Sequence, residues 1–101
     1  MVIISKTIIQ AFIQKHPDVE NALTKWYDDT KTADWKNFSE LKKTFNTADS
    51  VGNDRYVFDI KGNQYRIVAL IIFKVRTVFV LFIGTHKGYD KIKADKITFK
   101  K

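Results

Sequence analysis

The sequence predicts an α+β fold, with an N-terminal helical hairpin packed on a small antiparallel sheet. Two observations carry this. Residues 5–27 hold two short stretches with apolar side chains at helical spacing, separated by His16–Pro17. Residues 64–90 hold two long apolar runs rich in Ile, Val and Phe, which flank the polar break Lys74–Arg76. Such runs are too long for surface strands and too β-branched for a helix, so they read as paired central strands with both faces largely covered. A chain of 101 residues, 45% hydrophobic, is expected to form one domain over residues 1–101 with a real core.

The first element is Val2–Ile4, a short apolar stretch suited to an edge strand. Ser5 is placed to cap the helix that follows, whose stripe is Ile8, Ile9, Phe12 and Ile13. His16–Pro17 ends it, because a residue before proline avoids the α region. Pro17 then opens a second helix, with Asp18 and Glu20 favourable to its dipole and Val19, Ala22, Leu23, Trp26 and Tyr27 as its stripe. Thr32–Asn37 reads as a loop, Phe38–Phe45 as a further short helix, and the polar stretch Asn46–Asp54 as a loop. Arg55–Ile60 alternates in part and reads as a strand. It is followed by the turn Lys61–Gly62–Asn63, where Gly62 or Asn63 takes a positive φ. Residues 93–101 are a basic tail, disordered or with a short strand at Ile97–Phe99.

If the turn between the two long strands centres on Val75, facing positions sum to about 150. Arg66 then opposes Gly84, whose small size leaves room for a ligand. Val68, Leu70 and Ile72 share Arg66's side with Val78, Val80, Phe82, Gly84 and His86. On the neighbouring strand, sums of about 124 put Phe58 opposite Arg66 and turn Asp59 to the other side.

Charge narrows the function classes. The net charge is +7, with residues 1–50 balanced at seven basic and seven acidic, so the whole excess falls in residues 51–101. A localised basic field points to a polyanion, of which nucleic acid is the commonest. No cysteine is present, which excludes disulfides and thiolate zinc sites and fits a cytoplasmic location. No apolar run approaches the roughly 20 residues that span a bilayer, so no membrane association is expected. The sequence contains no phosphate-binding loop, dinucleotide fingerprint or nucleophile elbow. Two histidines far apart in sequence, without a carboxylate cluster, argue against a metal site.

The candidate chemistry lies at the open end of the long hairpin. His86 stands where the chain surfaces, and either moves protons or caps the next turn. Arg66 interrupts an apolar strand, so it needs an acidic partner or a place that receives anions. Lys87 adds charge there or is simply solvated. Tyr89 stacks on a base or packs. Asp90 caps or pairs locally. Arg55, Lys61 and Lys91 are candidate RNA contacts of the basic half.

These stretches resemble a known family. YVFDIKGNQ, the Arg66–Ala69 strand start, the polar break and the Thr85–Asp90 end THKGYD, in this order, are similar to the HigB toxins of the RelE-like superfamily. The resemblance covers about residues 1–92. It implies the toxin of a type II toxin–antitoxin module, a ribosome-dependent endoribonuclease that cuts messenger RNA in the A site without metal or other cofactor. It implies 2′-hydroxyl attack on the adjacent phosphate, with His86 as acid or base, Arg66 and Lys87 on the phosphorane, and Tyr89 on a nucleotide. It also implies a HigA-like antitoxin with a helix-turn-helix domain. The same fold hosts toxins that inhibit gyrase, so a non-catalytic gyrase or RNA binder is the competing expectation.

Overall fold

The computed structural model describes residues 1–98 and is α+β, as the two periodicities require. The elements are β1 (Val2–Ile4), α1 (Lys6–Lys15), α2 (Glu20–Thr32), α3 (Phe38–Thr44), β2 (Asp49–Gly52), β3 (Arg55–Ile60), β4 (Tyr65–Ile72), β5 (Thr77–Thr85) and α4 (His86–Tyr89). The five strands form one sheet in the order β1-β5-β4-β3-β2.

Capping fixes where the helices start. The Ser5 hydroxyl accepts from the Thr7 amide at 3.1 Å and opens α1. Pro17 opens a single 3-10 turn, Pro17–Val19, before α2 begins at Glu20. Asn37 opens α3 by accepting from the Glu40 amide at 3.0 Å, while Glu40 reaches back to the Lys36 amide at 2.9 Å. The Trp35 indole N–H donates to Thr44 Oγ1 at 2.9 Å and ties the preceding loop to α3.

The helices pack on one face of the sheet, α1 against β5 and α2 against β3 and β1. Ile9, Val19, Leu23, Trp26 and Leu41 meet Phe58, Ile67, Ala69, Ile71, Val78, Val80 and Ile83. Trp26, Phe45 and Phe58 form an aromatic cluster with centroid separations of 5.3 to 6.4 Å, within the range where edge and offset contacts are favourable.

Two expectations about the sheet are corrected. It is mixed, not antiparallel throughout, because Val2–Ile4 pairs parallel with β5. A parallel neighbour needs a long crossover, and the chain from Ser5 onward provides it. Residues 49–52, expected within a loop, form an antiparallel edge strand on β3. Asn53 and Asp54 both take positive φ, which gives the two-residue hairpin turn. The strand escapes a periodicity reading because its side chains are mostly exposed and polar. Gly62 takes the expected positive φ, and Lys61 shares it.

The second face is covered too. Val57 and Val68 are buried but belong to no part of the helix-side core. Residues 93–98 are turns and irregular chain, not a strand. Arg55 holds this segment, donating to the Ile97 carbonyl from Nε at 3.1 Å and from Nη2 at 2.7 Å. Asn53 Nδ2 adds a bond to the Asp95 carbonyl at 2.9 Å. The end of the expected strand, Phe99, lies outside the described residues.

At one end of the sheet, Asp18 ties the helices to β4. Its carboxylate accepts from the Tyr65 hydroxyl at 2.9 Å and from Lys61 Nζ at 3.0 Å. The Lys61 bond, then the Tyr65 bond, hold the Asp18 carboxyl below its usual range, and the bond to Asp18 pushes the Tyr65 phenol up.

Two outcomes follow for stability. The depressed Asp18 contributes stability above about pH 4 that is lost as pH falls through its folded value. The raised Tyr65 contributes below about pH 10 and is lost as pH rises through its folded value. Asp18→Asn should therefore lower the melting temperature by a constant amount between about pH 5 and 9, and the gap to wild type should narrow beyond either limit. A gap independent of pH in thermal melts would show that the ionised carboxylate is not what acts. Arg55→Ala should cost about 1–3 kcal/mol in denaturant titrations, and proteolysis should shift to residues 91–98.

Candidate active site

The mouth of the β4–β5 hairpin is built on register. Arg66 opposes Gly84 across β4–β5, as the summed positions predict. Further in, the pairing shifts: Val68 faces Phe82, but Ala69 faces Val80, so Leu81 is an extra residue in β5. The expectation that Val78 and Val80 share Arg66's side is therefore overturned. The bulge turns both into the helix-side core, and only Phe82 and Gly84 remain in step with Val68 and Arg66.

On the other flank the register is one residue away from the expected one. Asp59, not Phe58, opposes Arg66. Its Oδ1 lies 3.2 Å from Arg66 Nε, an ion pair lacking hydrogen-bond geometry, with the Arg66 and Asp59 side chains 22% and 26% exposed. Arg66 thus has an acidic partner at Nε, while its terminal nitrogens make no hydrogen bond among the described residues. The cause lies in the turn. With Lys61 and Gly62 both at positive φ, Ile60 pairs with Tyr65 and not with Gln64.

The room expected above Gly84 is occupied. A Cβ at Gly84 would lie 2.4 Å from Phe82 Cζ, so the Phe82 ring covers that backbone. The same ring atom would lie 3.7 Å from a Cβ at Gly88. Two glycines thus let one aromatic ring fit between β5 and the short helix that follows.

That helix, α4, carries the remaining candidates. The Thr85 hydroxyl caps it, accepting from the Gly88 amide at 3.0 Å, while the His86 amide donates to the Gln64 carbonyl at 3.2 Å. Thr85, not His86, is the cap, which removes the alternative reading of the histidine. The His86 ring is 46% exposed, with Nδ1 3.6 Å from Asp90 Oδ2. Tyr89 folds back over Arg66, its ring centroid 4.7 Å from the guanidinium carbon. Lys87, one residue past His86, and Lys91, just beyond the helix, are exposed and form no ion pair among the described residues.

The structure therefore gathers Arg66, Tyr89, His86 and Lys87 at one end of the sheet. Lys61 lies at the same end, but its ammonium is engaged by Asp18. Arg55 lies well along the strand from this end, and its guanidinium is spent on Asn53 and Ile97 carbonyls, so it is a clamp for the C-terminal segment and not an open cation. Sequence reasoning missed α4 and the place of Asp59. Thr85, with an amide three residues on, was the available signal for the first. Among the described residues, no three His, Asp or Glu side chains converge as a metal site would require.

In chemical terms the site holds a guanidinium beside a carboxylate, an exposed imidazole and exposed lysine charge. Comparison with known proteins places the chain in a family. The profile of the HigB_toxin family, described as the RelE-like toxic component of a toxin–antitoxin system, matches residues 19–92. Over 94 residues the chain is 34% identical to a protein of Escherichia coli O6:H1 named mRNA interferase HigB, covering 91% of each chain. Over 92 residues it is 26% identical to the mRNA interferase toxin HigB of Escherichia coli K12, covering 89% of this chain and 88% of the relative. The mRNA interferase HigB of Shigella flexneri matches to the same extent. With a profile that spans most of its length and a relative above 30% identity over nearly all of it, this chain belongs to the HigB toxin family of toxin–antitoxin systems.

Proposed function

We propose that the protein is an endoribonuclease that cleaves messenger RNA on the ribosome, in the A site. The observation that carries this reading is the Arg66 guanidinium, gripped at Nε by Asp59 and covered by Tyr89, at the same sheet end as an exposed His86 and Lys87. A pre-oriented cation is what a pentacoordinate phosphorane needs, because charge develops there and no reorganisation is then required. The names of the relatives, mRNA interferases, point to the same substrate.

The reaction needs a base, an acid for the leaving oxygen and positive charge on the phosphorane. His86 takes the proton from the ribose 2′-hydroxyl, the 2′-oxygen bonds to the adjacent phosphorus, and the bond to the 5′-oxygen breaks. An acid returns a proton to that leaving oxygen, giving a 2′,3′-cyclic phosphate and a free 5′-hydroxyl. Asp90 Oδ2 lies 3.6 Å from the His86 Nδ1 and can orient the ring. Arg66 and Lys87 carry the phosphorane charge, Tyr89 lines the nucleotide's path, and exposed Lys91 adds to the field that attracts RNA. The antitoxin partner is a HigA-like protein with a helix-turn-helix domain.

In a programmed translation reaction the wild type should cut message and leave 5′ ends that accept phosphate without prior phosphatase treatment. His86→Ala and Arg66→Ala, shown to be folded by circular dichroism, should each lose about 100-fold or more in cleavage rate. Rates equal to wild type in both variants would refute this site. Inhibition of gyrase supercoiling with message left intact would refute the activity itself.

A further inference from the structure

Asp59 exchanges no proton in the reaction above, yet it lies at the one place that decides how Arg66 points. The two residues are direct partners across β3–β4, so the backbone fixes their separation. Arg66 Nε is buried against the carboxylate, and the guanidinium carbon lies over the Tyr89 ring, 4.7 Å from its centroid. Nη1 and Nη2 make no hydrogen bond among the described residues, so with Nε held they are the atoms left to meet an anion. A side chain with long, freely rotating torsions is thereby reduced to one presentation of its fork.

We infer that Asp59 is a positioning residue for RNA cleavage, holding the Arg66 fork toward the scissile phosphate. This rests on the cleavage reading given above. The inference has an unusual signature, because the carboxylate is itself unfavourable for polyanion binding. Its negative charge lowers the potential that the RNA meets, so removing it should strengthen or preserve binding. What is lost is orientation, and with it the turnover step. The contact is an ion pair without hydrogen-bond geometry, so the charge holds Arg66, and an amide of the same shape does not replace it.

The test is Asp59→Asn, with Asp59→Ser as a second variant should the first fold poorly. In the translation assay kcat should fall about tenfold or more, while KM and the dissociation constant for a non-cleavable RNA carrying 2′-O-methyl groups stay equal or decrease. A purely structural role would instead lower the melting temperature and leave kcat of the folded fraction unchanged. NMR provides an arm independent of activity. The Arg66 Nε–H should exchange slowly in wild type and faster in the variant, with a shift of the Tyr89 ring protons. If wild type cuts no message, the cleavage reading fails, and the NMR arm alone decides whether Asp59 fixes Arg66. Unchanged exchange and ring shifts, or a kcat within twofold of wild type, would overturn the inference.

Discussion

One extra residue in β5 organises this molecule. Without the bulge at Leu81, strict alternation would set Val78 and Val80 on one side of the sheet and Ile83 on the other. All three are instead buried in the helix-side core, because the strand changes phase between Val80 and Phe82. The same change of phase lets Gly84 stay opposite Arg66 on the second face. The inner half of β5 thus serves packing and its outer end serves the site, with neither compromising the other.

The second constraint is electrostatic. The chain is strongly basic, yet several of its cations are consumed by the fold. Arg66 meets Asp59, Lys61 meets Asp18, and Arg76 meets Asp34 at 2.6 Å. Arg55 is spent on backbone carbonyls. The more exposed pairs, Lys61–Asp18 and Arg76–Asp34, add at most about 1 kcal/mol each to stability, so their main effect is to fix geometry. Arg76 illustrates this: it takes a left-handed φ at the end of the β4–β5 connection, and its side chain bonds Asp34 in the loop before α3 and the Phe73 carbonyl. Beside the hairpin mouth, Lys87 and Lys91 form no ion pair among the described residues.

Phe82 joins the two constraints. Its ring lies over Gly84 and approaches Gly88, so it fills the space between the sheet and α4. A side chain at Gly84 would clash with that ring, and the ring would have to shift to make way. The helix carries His86, Lys87 and Tyr89, and this apolar contact supports it together with the Thr85 cap and the His86 amide bond to the Gln64 carbonyl.

The sequence alone determined the elements and their classes. Helical spacing located α1 and α2, β-branched runs located β4 and β5, and the Val75-centred turn predicted the Arg66–Gly84 pairing. The motifs around Arg66–Ala69 and Thr85–Asp90 also predicted the family to which the chain belongs. Tertiary structure alone decided the phase of the β3–β4 pairing and of the inner half of β4–β5. Whether Phe58 or Asp59 opposes Arg66 depends on one residue of turn geometry, and β3 has apolar side chains on both sides of Asp59, so its pattern favours neither. The parallel seat of β1, the polar edge strand β2 and the bulge at Leu81 were likewise invisible, since each is selected by what the neighbouring strand offers rather than by a local period.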